Sequence, residues 1–340
     1  MFIVHARRRQ ALSSYFSMQS IRALEPRITD LVQQMNRRLH EASSAGNAIN
    51  TNHLFSAFAM DVIAEYSLSK AGTTGSLSRP DLGQWWYDLT RQQVPMNAFF
   101  RHFPLVIRTM MMLSDWLAMD ANPGIENFIW WRNKLMSQVK TVLERDDGVS
   151  NEKERTLTHE LANSDLPPAE KPPSRLVAEA NLLLGAGAET TASTIARTCY
   201  HTLANPAVLK QLQKELVVAL PVTDAIPSLP ELSQLPYLNT VIEECLSISL
   251  PILARSPRLF QNHTLQYKEW AMPPGLGLIV FEVHFFPISS SIVPVLVQQT
   301  DRLAYVSYSV FFALTTPNIF PEPESFKTSR WLASEGSARS

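Results

Sequence analysis

The stretch from Ser174 to about Ala204 constrains the fold most, because it is the longest uninterrupted apolar segment of helical periodicity in the chain. It follows Pro172 and Pro173 and stops before Asn205-Pro206. A helix that is apolar on nearly all sides lies at the centre of its domain. The sequence therefore predicts a mainly α fold built around one long central helix, with Ser174 as its N-cap.

The middle of this helix reads Ala186-Gly187-Ala188-Glu189-Thr190-Thr191, and Gly185 precedes it. Each glycine costs about 1 kcal/mol of helix propensity, and such local conflicts mark candidate functional sites. Small side chains would let a flat ligand lie against the helix, while an acid beside a hydroxyl suits proton relay. The other interpretation, which these six residues favour when taken alone, is a close helix crossing with an exposed glutamate.

Composition narrows the function classes. The 340 residues carry 30 basic and 31 acidic side chains, a formal charge of -1, so no global field attracts nucleic acid. Eleven Gly against 23 Pro disfavour glycine-rich phosphate loops and all-β architectures. The two cysteines, Cys199 and Cys245, have no metal-ligand spacing, and both are interpreted as small buried hydrophobes.

Other segments also follow a helical period. Ser20 is a candidate cap for a helix that ends near Gly46, and a second apolar helix follows around Phe55. The polar, proline-rich stretch 146–173 is interpreted as a surface linker. Tyr237 to Ser249 is predicted to be an amphipathic helix whose apolar face, with Leu238, Val241, Ile242 and Leu246, points inward and whose Glu243 and Glu244 face solvent.

Several motifs occur in a characteristic order. They are His5-Ala6-Arg7-Arg8-Arg9, Ala186 to Thr191, Tyr237 to Ser249, Pro251 to Arg255, Pro273-Pro274-Gly275, and Phe320 to Phe326 followed by Arg330-Trp331. As a series they resemble the cytochromes P450, in particular those of fungal secondary metabolism. The resemblance runs from Met1 to about Trp331 and implies a cytochrome P450 fold, incomplete here, with a minor β component.

The resemblance also implies roles for particular residues. Glu189 and Thr190 match the acid and alcohol that handle protons in catalysis. His5, Arg9 and Arg255 match positions that bind the propionates of haem b, for which arginine offers a forked, permanently charged donor. Glu244 and Arg330 match a buried structural charge network. The implied partners are a small apolar substrate and NADPH-cytochrome P450 reductase, with no nucleic acid.

Three departures from the family pattern limit what this resemblance implies. The family motif Glu-x-x-Arg ends here in Ser247, so one arginine of the buried network is missing. No Phe-x-x-Gly-x-Arg-x-Cys loop follows Trp331, so no residue matches the axial thiolate and no metal ligand is assigned. Residues 276–305 separate segments that the family joins almost directly.

The resulting division of the chain has three parts. Residues 1–275 form the P450-like helical region, 276–305 are a foreign-looking insertion expected to be disordered, and 306–340 are the remnant of the segment that precedes the haem-binding loop. Members of the family usually sit in the endoplasmic-reticulum membrane, but no anchor is visible in this chain, and the localisation is left unassigned.

Three functional hypotheses follow. The first is a haem-thiolate monooxygenase that oxidises a small apolar secondary metabolite. The second is a catalytically inactive remnant of such an enzyme that binds no haem. The third, a helical interaction module without a cofactor, treats the ordered motif series as chance.

Overall fold

The structure is a computed structural model of the 340-residue chain. It describes residues 2–13, 15–68, 74–91, 103, 105–106, 109, 126–144, 156–220, 226–249, 256–258, 264–267, 270–272, 306–308, 314–317 and 320–332. The chain divides into two compact units, Met1–Ile242 and Glu243–Ser340. The predicted insertion at 276–305 lies outside the described residues.

All regular secondary structure in the described ranges of the first unit is helical. In chain order its helices are α1 (Phe2–Ala11), α2 (Met18–Ser44), α3 (Thr51–Leu68), α4 (84–91), α5 (Glu126–Glu144), α6 (Leu157–Asn163), α7 (Pro173–Ala204), α8 (Pro206–Ala219) and α9 (Leu229–Ser233). Helix α10 (Pro236–Ser249) follows and contains the boundary between the units. The predicted mainly α fold with one long central helix is confirmed.

Helix α7 packs along α3, and this is the most extensive contact between elements in the first unit. The face of α7 that it buries carries small residues, among them Ala180, Ala188 and Ala192. At Gly187 the approach is so close that an added Cβ would lie 2.9 Å from Cγ1 of Ile63. Of the two glycines that lower helix propensity in this segment, Gly187 therefore allows a close helix crossing.

The main core of the first unit surrounds this crossing. It combines residues of α3, α5, α6 and α7, including Met60, Trp131, Leu135, Leu157 and Leu184, each no more than 1% exposed. The prediction that 146–173 is only a surface linker is wrong for its second half. Helix α6 forms there because two of its leucines lie at a helical spacing and reach the core.

Two predicted helix starts also differ from the structure. Helix α2 is capped by Ser17, whose hydroxyl accepts from the backbone N–H of Ser20 at 3.3 Å, so Ser20 lies inside the first turn. Helix α7 begins at Pro173 after Pro172, and Ser174 is already helical. Proline suits this position because the first helical N–H needs no intrahelical partner.

A buried carboxylate holds the loop after α3. Asp61 is 2% exposed and accepts the backbone N–H groups of Ser76 and Leu77, both at 2.9 Å, and the hydroxyl of Thr74 at 2.7 Å. Burial raises the pKa of Asp61, and these hydrogen bonds oppose the shift. The loop 74–77 is thereby fixed against α3.

The start of α10 is held by a carboxylate from α8. Glu215 accepts the backbone N–H groups of Tyr237 at 2.7 Å and Leu238 at 2.8 Å. An anion at a helix N-terminus satisfies otherwise unpaired donors and complements the helix dipole. This contact ties the first turn of α10 to α8.

The second unit contains the minor β component. Strand β1 (Ser256–Arg258) pairs antiparallel with β4 (Val306–Tyr308), with Ser256 opposite Tyr308, and β2 (Leu265–Tyr267) pairs antiparallel with β3 (Trp270–Met272). A 3₁₀ turn, Thr328–Trp331, ends the described part. Among the described residues of the whole chain, no helix combines the length and apolar character that crossing a bilayer requires.

The helix crossing predicts opposite effects for the two glycines of α7. We expect Gly187→Leu to lower the free energy of unfolding by about 1–3 kcal/mol, because the new side chain meets Ile63. Among the described residues nothing lies within 4 Å of a Cβ at Gly185, so Gly185→Leu should raise stability by about 0.5–1 kcal/mol through helix propensity. Urea denaturation of the matched pair measures both, and equal effects would contradict the crossing.

Candidate functional site

Glu189 lies beside a cavity of about 440 Å³ in the first unit. Residues from the start of α3, from α4 and from the second half of α7 line it, and most of them are polar: Thr51, Asn52, Tyr87, Arg91, Glu189, Ala192, Ser193, Ala196, Arg197 and Tyr200. Arg91 donates to the hydroxyl of Tyr87 at 2.9 Å. The cavity therefore presents one carboxyl group and two guanidinium groups.

The electrostatic setting of Glu189 favours its neutral form. Its Oε2 atom is buried and has no hydrogen-bond partner among the described residues. Burial raises the pKa of Glu189, and the positive charge of Arg91 partly offsets the shift. A carboxyl group in this position holds its proton at a higher pH than an exposed glutamate does.

Thr190 occupies a different part of the helix surface. Its Oγ1 donates to the carbonyl oxygen of Ala186 at 2.7 Å, and it is not among the residues that line the cavity. Consecutive residues of an α-helix point about 100° apart, so the structure does not bring both side chains into one space. The hydroxyl of Thr190 has donated its hydrogen, which leaves its oxygen free to accept.

The residues matched to haem propionates lie elsewhere or are not described. Arg9 is exposed on the last turn of α1, while its neighbour Arg8 donates from Nε to Glu170 Oε2 at 2.8 Å. The backbone of His5 is part of α1, but its side chain is not described, and Arg255 lies outside the described residues. No contact in the described chain joins these three positions.

The structure does bring Glu244 and Arg330 together in the second unit. Glu244 is fully buried, and Nε of Arg330 lies 2.8 Å from its Oε2. The predicted orientation of α10 is therefore wrong in two respects. Glu244 is buried where it was expected to face solvent, and Ile242 and Leu246, expected to face inward, are 43% and 53% exposed. Helical period alone could not show it, because the burial of a charge depends on partners far along the chain.

Neither cysteine lies in a setting suited to a metal. Cys245 is 1% exposed, and its Sγ lies 3.5 Å from Oγ of Ser249. Cys199 is half-buried against a small apolar cluster that includes Phe55 and Ala59. Among the described residues, no group of three or more His, Cys, Asp or Glu side chains is placed to hold a metal ion.

The comparison with protein families decides the lineage. The family model of the cytochromes P450 matches residues 4–275, four-fifths of the chain. The chain belongs to the cytochrome P450 family. The assignment of α7 to the helix that carries the family's acid and alcohol motif stays a prediction.

Curated relatives of this P450 chain are fungal monooxygenases. The cytochrome P450 monooxygenase claJ of Penicillium crustosum is 31% identical over 96% of this chain and 68% of its own length. A fusicoccadiene C-8 hydroxylase of Phomopsis amygdali is 29% identical over 96% of this chain and 59% of its own length. The chain thus spans about three-fifths to two-thirds of these relatives.

A solved structure supports the fold. The crystal structure of a cytochrome P450, CYP102L1, superposes with a TM-score of 0.67 at 14% identity, covering 97% of this chain and 62% of that one. At this identity the likeness concerns the fold alone. The mainly α P450 fold with a minor β component is therefore confirmed.

The sequence did not predict several residues of the cavity at Glu189 and of the surroundings of Glu244. Ser193 and Arg197 follow Glu189 at spacings of four and eight residues, so helical period would have placed them on the same face. No helical spacing links Arg91 to Glu189, because Arg91 lies on α4 and Glu189 on α7. Trp331 was noted only as the neighbour of Arg330, although its indole contacts Glu244.

The burial of Glu189 predicts a pH-dependent stability. A carboxyl group whose pKa is raised by folding stabilises the fold below its unfolded pKa of about 4.3 and loses this contribution as the pH rises through its folded value. We therefore expect Glu189→Gln to gain stability relative to the native chain as the pH increases from 5 to 8. Urea denaturation at both pH values measures this.

The exposed Glu243→Gln variant is the matched control and should show no such gain. If native and Glu189→Gln chains change in parallel between pH 5 and 8, the buried position of the carboxyl group is wrong.

Proposed function

We propose that the protein to which these residues belong is a haem-dependent monooxygenase that hydroxylates a small apolar metabolite. Membership of the cytochrome P450 family over residues 4–275 is the observation that carries this proposal. The mainly α fold, in which α7 carries Glu189 and Thr190, supports the proposal.

The name of one relative supports the substrate class. The Phomopsis amygdali protein is called a fusicoccadiene C-8 hydroxylase, which assigns it the hydroxylation of a diene at one carbon. A substrate of this kind offers no charge to a binding site, so shape and apolar contacts must hold it. We extend this substrate class, a small hydrocarbon-like metabolite, to the present protein.

Glu189 and Thr190 are proposed as the proton-handling pair of this enzyme. Burial raises the pKa of the Glu189 carboxyl group, which suits it to proton transfer, and the cavity beside it gives access from solvent. Thr190 offers a hydroxyl oxygen as acceptor, since its hydrogen is donated to Ala186. Because the two side chains point to different sides of α7, a proton passes between them only through an intermediate group such as water.

The two cysteines do not fit the axial position of a thiolate-ligated haem. Cytochromes P450 are the standard example of this ligation, which needs a reactive sulfur facing the cofactor. Cys245 is buried beside Ser249, and Cys199 packs into an apolar cluster. Neither lines the cavity at Glu189. We therefore derive no step through haem from these residues, and the propionate roles of His5, Arg9 and Arg255 remain proposals, as does a reductase partner.

A second candidate is an inactive remnant that binds no haem. The two candidates differ in what the gene encodes. A transcript that skips the codons for 276–305 and continues past Ser340 into a Phe-x-x-Gly-x-Arg-x-Cys loop supports the monooxygenase. A transcript that translates to the 340 residues alone supports the remnant.

Absorption spectroscopy tests the cysteine argument directly. We expect the 340-residue chain, incubated with haem and reduced under carbon monoxide, to give no thiolate-type Soret band. A band that is lost in Cys199→Ala or Cys245→Ala would show that one of these residues ligates iron and would overturn the argument. Retention of the helical circular dichroism spectrum is the control for folding.

A further inference from the structure

The buried carboxylate of Glu244 requires compensation, because an unpaired charge in the interior is strongly destabilising. Its side chain is fully buried. Three groups approach it: Arg330 Nε at 2.8 Å from Oε2, the Trp331 indole Nε1–H, which donates to Oε2 at 2.6 Å, and the Lys327 backbone N–H, which donates to Oε1 at 2.7 Å. The carboxylate is thus contacted on both oxygens.

Ser247 does not take part in this compensation. It stands where the family motif has an arginine, three residues after Glu244 on α10. Its hydroxyl donates instead to the backbone carbonyl of Glu244 at 2.7 Å. Residues three apart on a helix are neighbours, so an arginine at 247 would reach the Glu244 carboxylate, to which the serine hydroxyl does not donate.

The Nη groups of Arg330 are engaged with backbone carbonyls. Its Nη1 donates to the carbonyl of Pro321 at 3.0 Å, and its Nη2 donates to the carbonyls of Glu322 at 3.2 Å and Ser325 at 2.9 Å. Its Nε forms the ion pair with Oε2 of Glu244. Because both Nη groups donate to backbone carbonyls, a further donor to Oε2 adds to what Arg330 supplies.

Trp331 supplies that donor. The indole N–H is a donor only, and a ring contact with Phe320, whose centroid lies 6.1 Å away, supports its orientation. We propose that Trp331 is a positioning residue that takes the place of the missing arginine and holds the Glu244 carboxylate toward Arg330 and the Lys327 amide. This inference goes beyond the proposed function and does not depend on haem binding.

The native chain offers the first test. In a chain labelled with ¹⁵N-tryptophan, the indole N–H of Trp331, assigned by its loss in Trp331→Phe, should resonate downfield of free indole and move upfield in Glu244→Gln. A Trp331 signal at the free-indole position that is unaffected by Glu244→Gln would overturn the proposal, whether or not other variants fold.

The second test is rescue by the family residue. We expect Trp331→Phe to speed amide hydrogen exchange at Lys327 by about tenfold, since the ring remains but the donor is lost. Adding Ser247→Arg should restore slow exchange, whereas Ser247→Met, which fills space without a donor, should not. Trp130→Phe, at an exposed tryptophan of α5, is the matched control and should leave Lys327 unchanged.

Two outcomes of the exchange experiment would contradict the proposal. Unchanged exchange at Lys327 in Trp331→Phe would mean that Arg330 alone holds the carboxylate. Equal rescue by methionine and arginine at 247 would mean that packing, not hydrogen bonding, is what the tryptophan contributes.

Discussion

The close crossing of α3 and α7 is the contact on which the first unit depends. It is possible because α7 presents Gly187, Ala188 and Ala192 to α3, and larger side chains would force the helices apart. Helices α5, α6 and α8 pack against α7 as well. The crossing therefore fixes the direction in which Glu189, one position beyond Ala188, leaves the helix.

Three buried or half-buried carboxyl groups differ in how completely their oxygens are paired. Asp61 accepts three hydrogen bonds, and Glu244 accepts two and forms an ion pair with Arg330; both hold loop segments against a helix. Glu189 has one oxygen without a partner in the described structure and lies at a cavity. Fully paired buried carboxylates rigidify the structure around them, whereas an incompletely paired one beside a cavity is a candidate for chemistry.

The sequence was sufficient for the long apolar α7 and for the family, because hydrophobic period and motif order are local properties. The sequence did not predict α6, because the surrounding prolines and charged residues indicated a surface linker although two leucines of this segment reach the core. Tertiary partners explain the remaining differences. The burial of Glu244 depends on Arg330 and Trp331, more than 80 residues away, and Arg91 approaches Glu189 from another helix.

The central claim is that α7 is held against α3 by small residues along its buried face. Native-state amide hydrogen exchange of the 340-residue chain, read by mass spectrometry, tests this most directly. The account predicts that residues 54–64 of α3 and 180–192 of α7 exchange slowest, far more slowly than 215–219 at the exposed end of α8. Exchange of α3 and α7 at the rate of that helix end would contradict it.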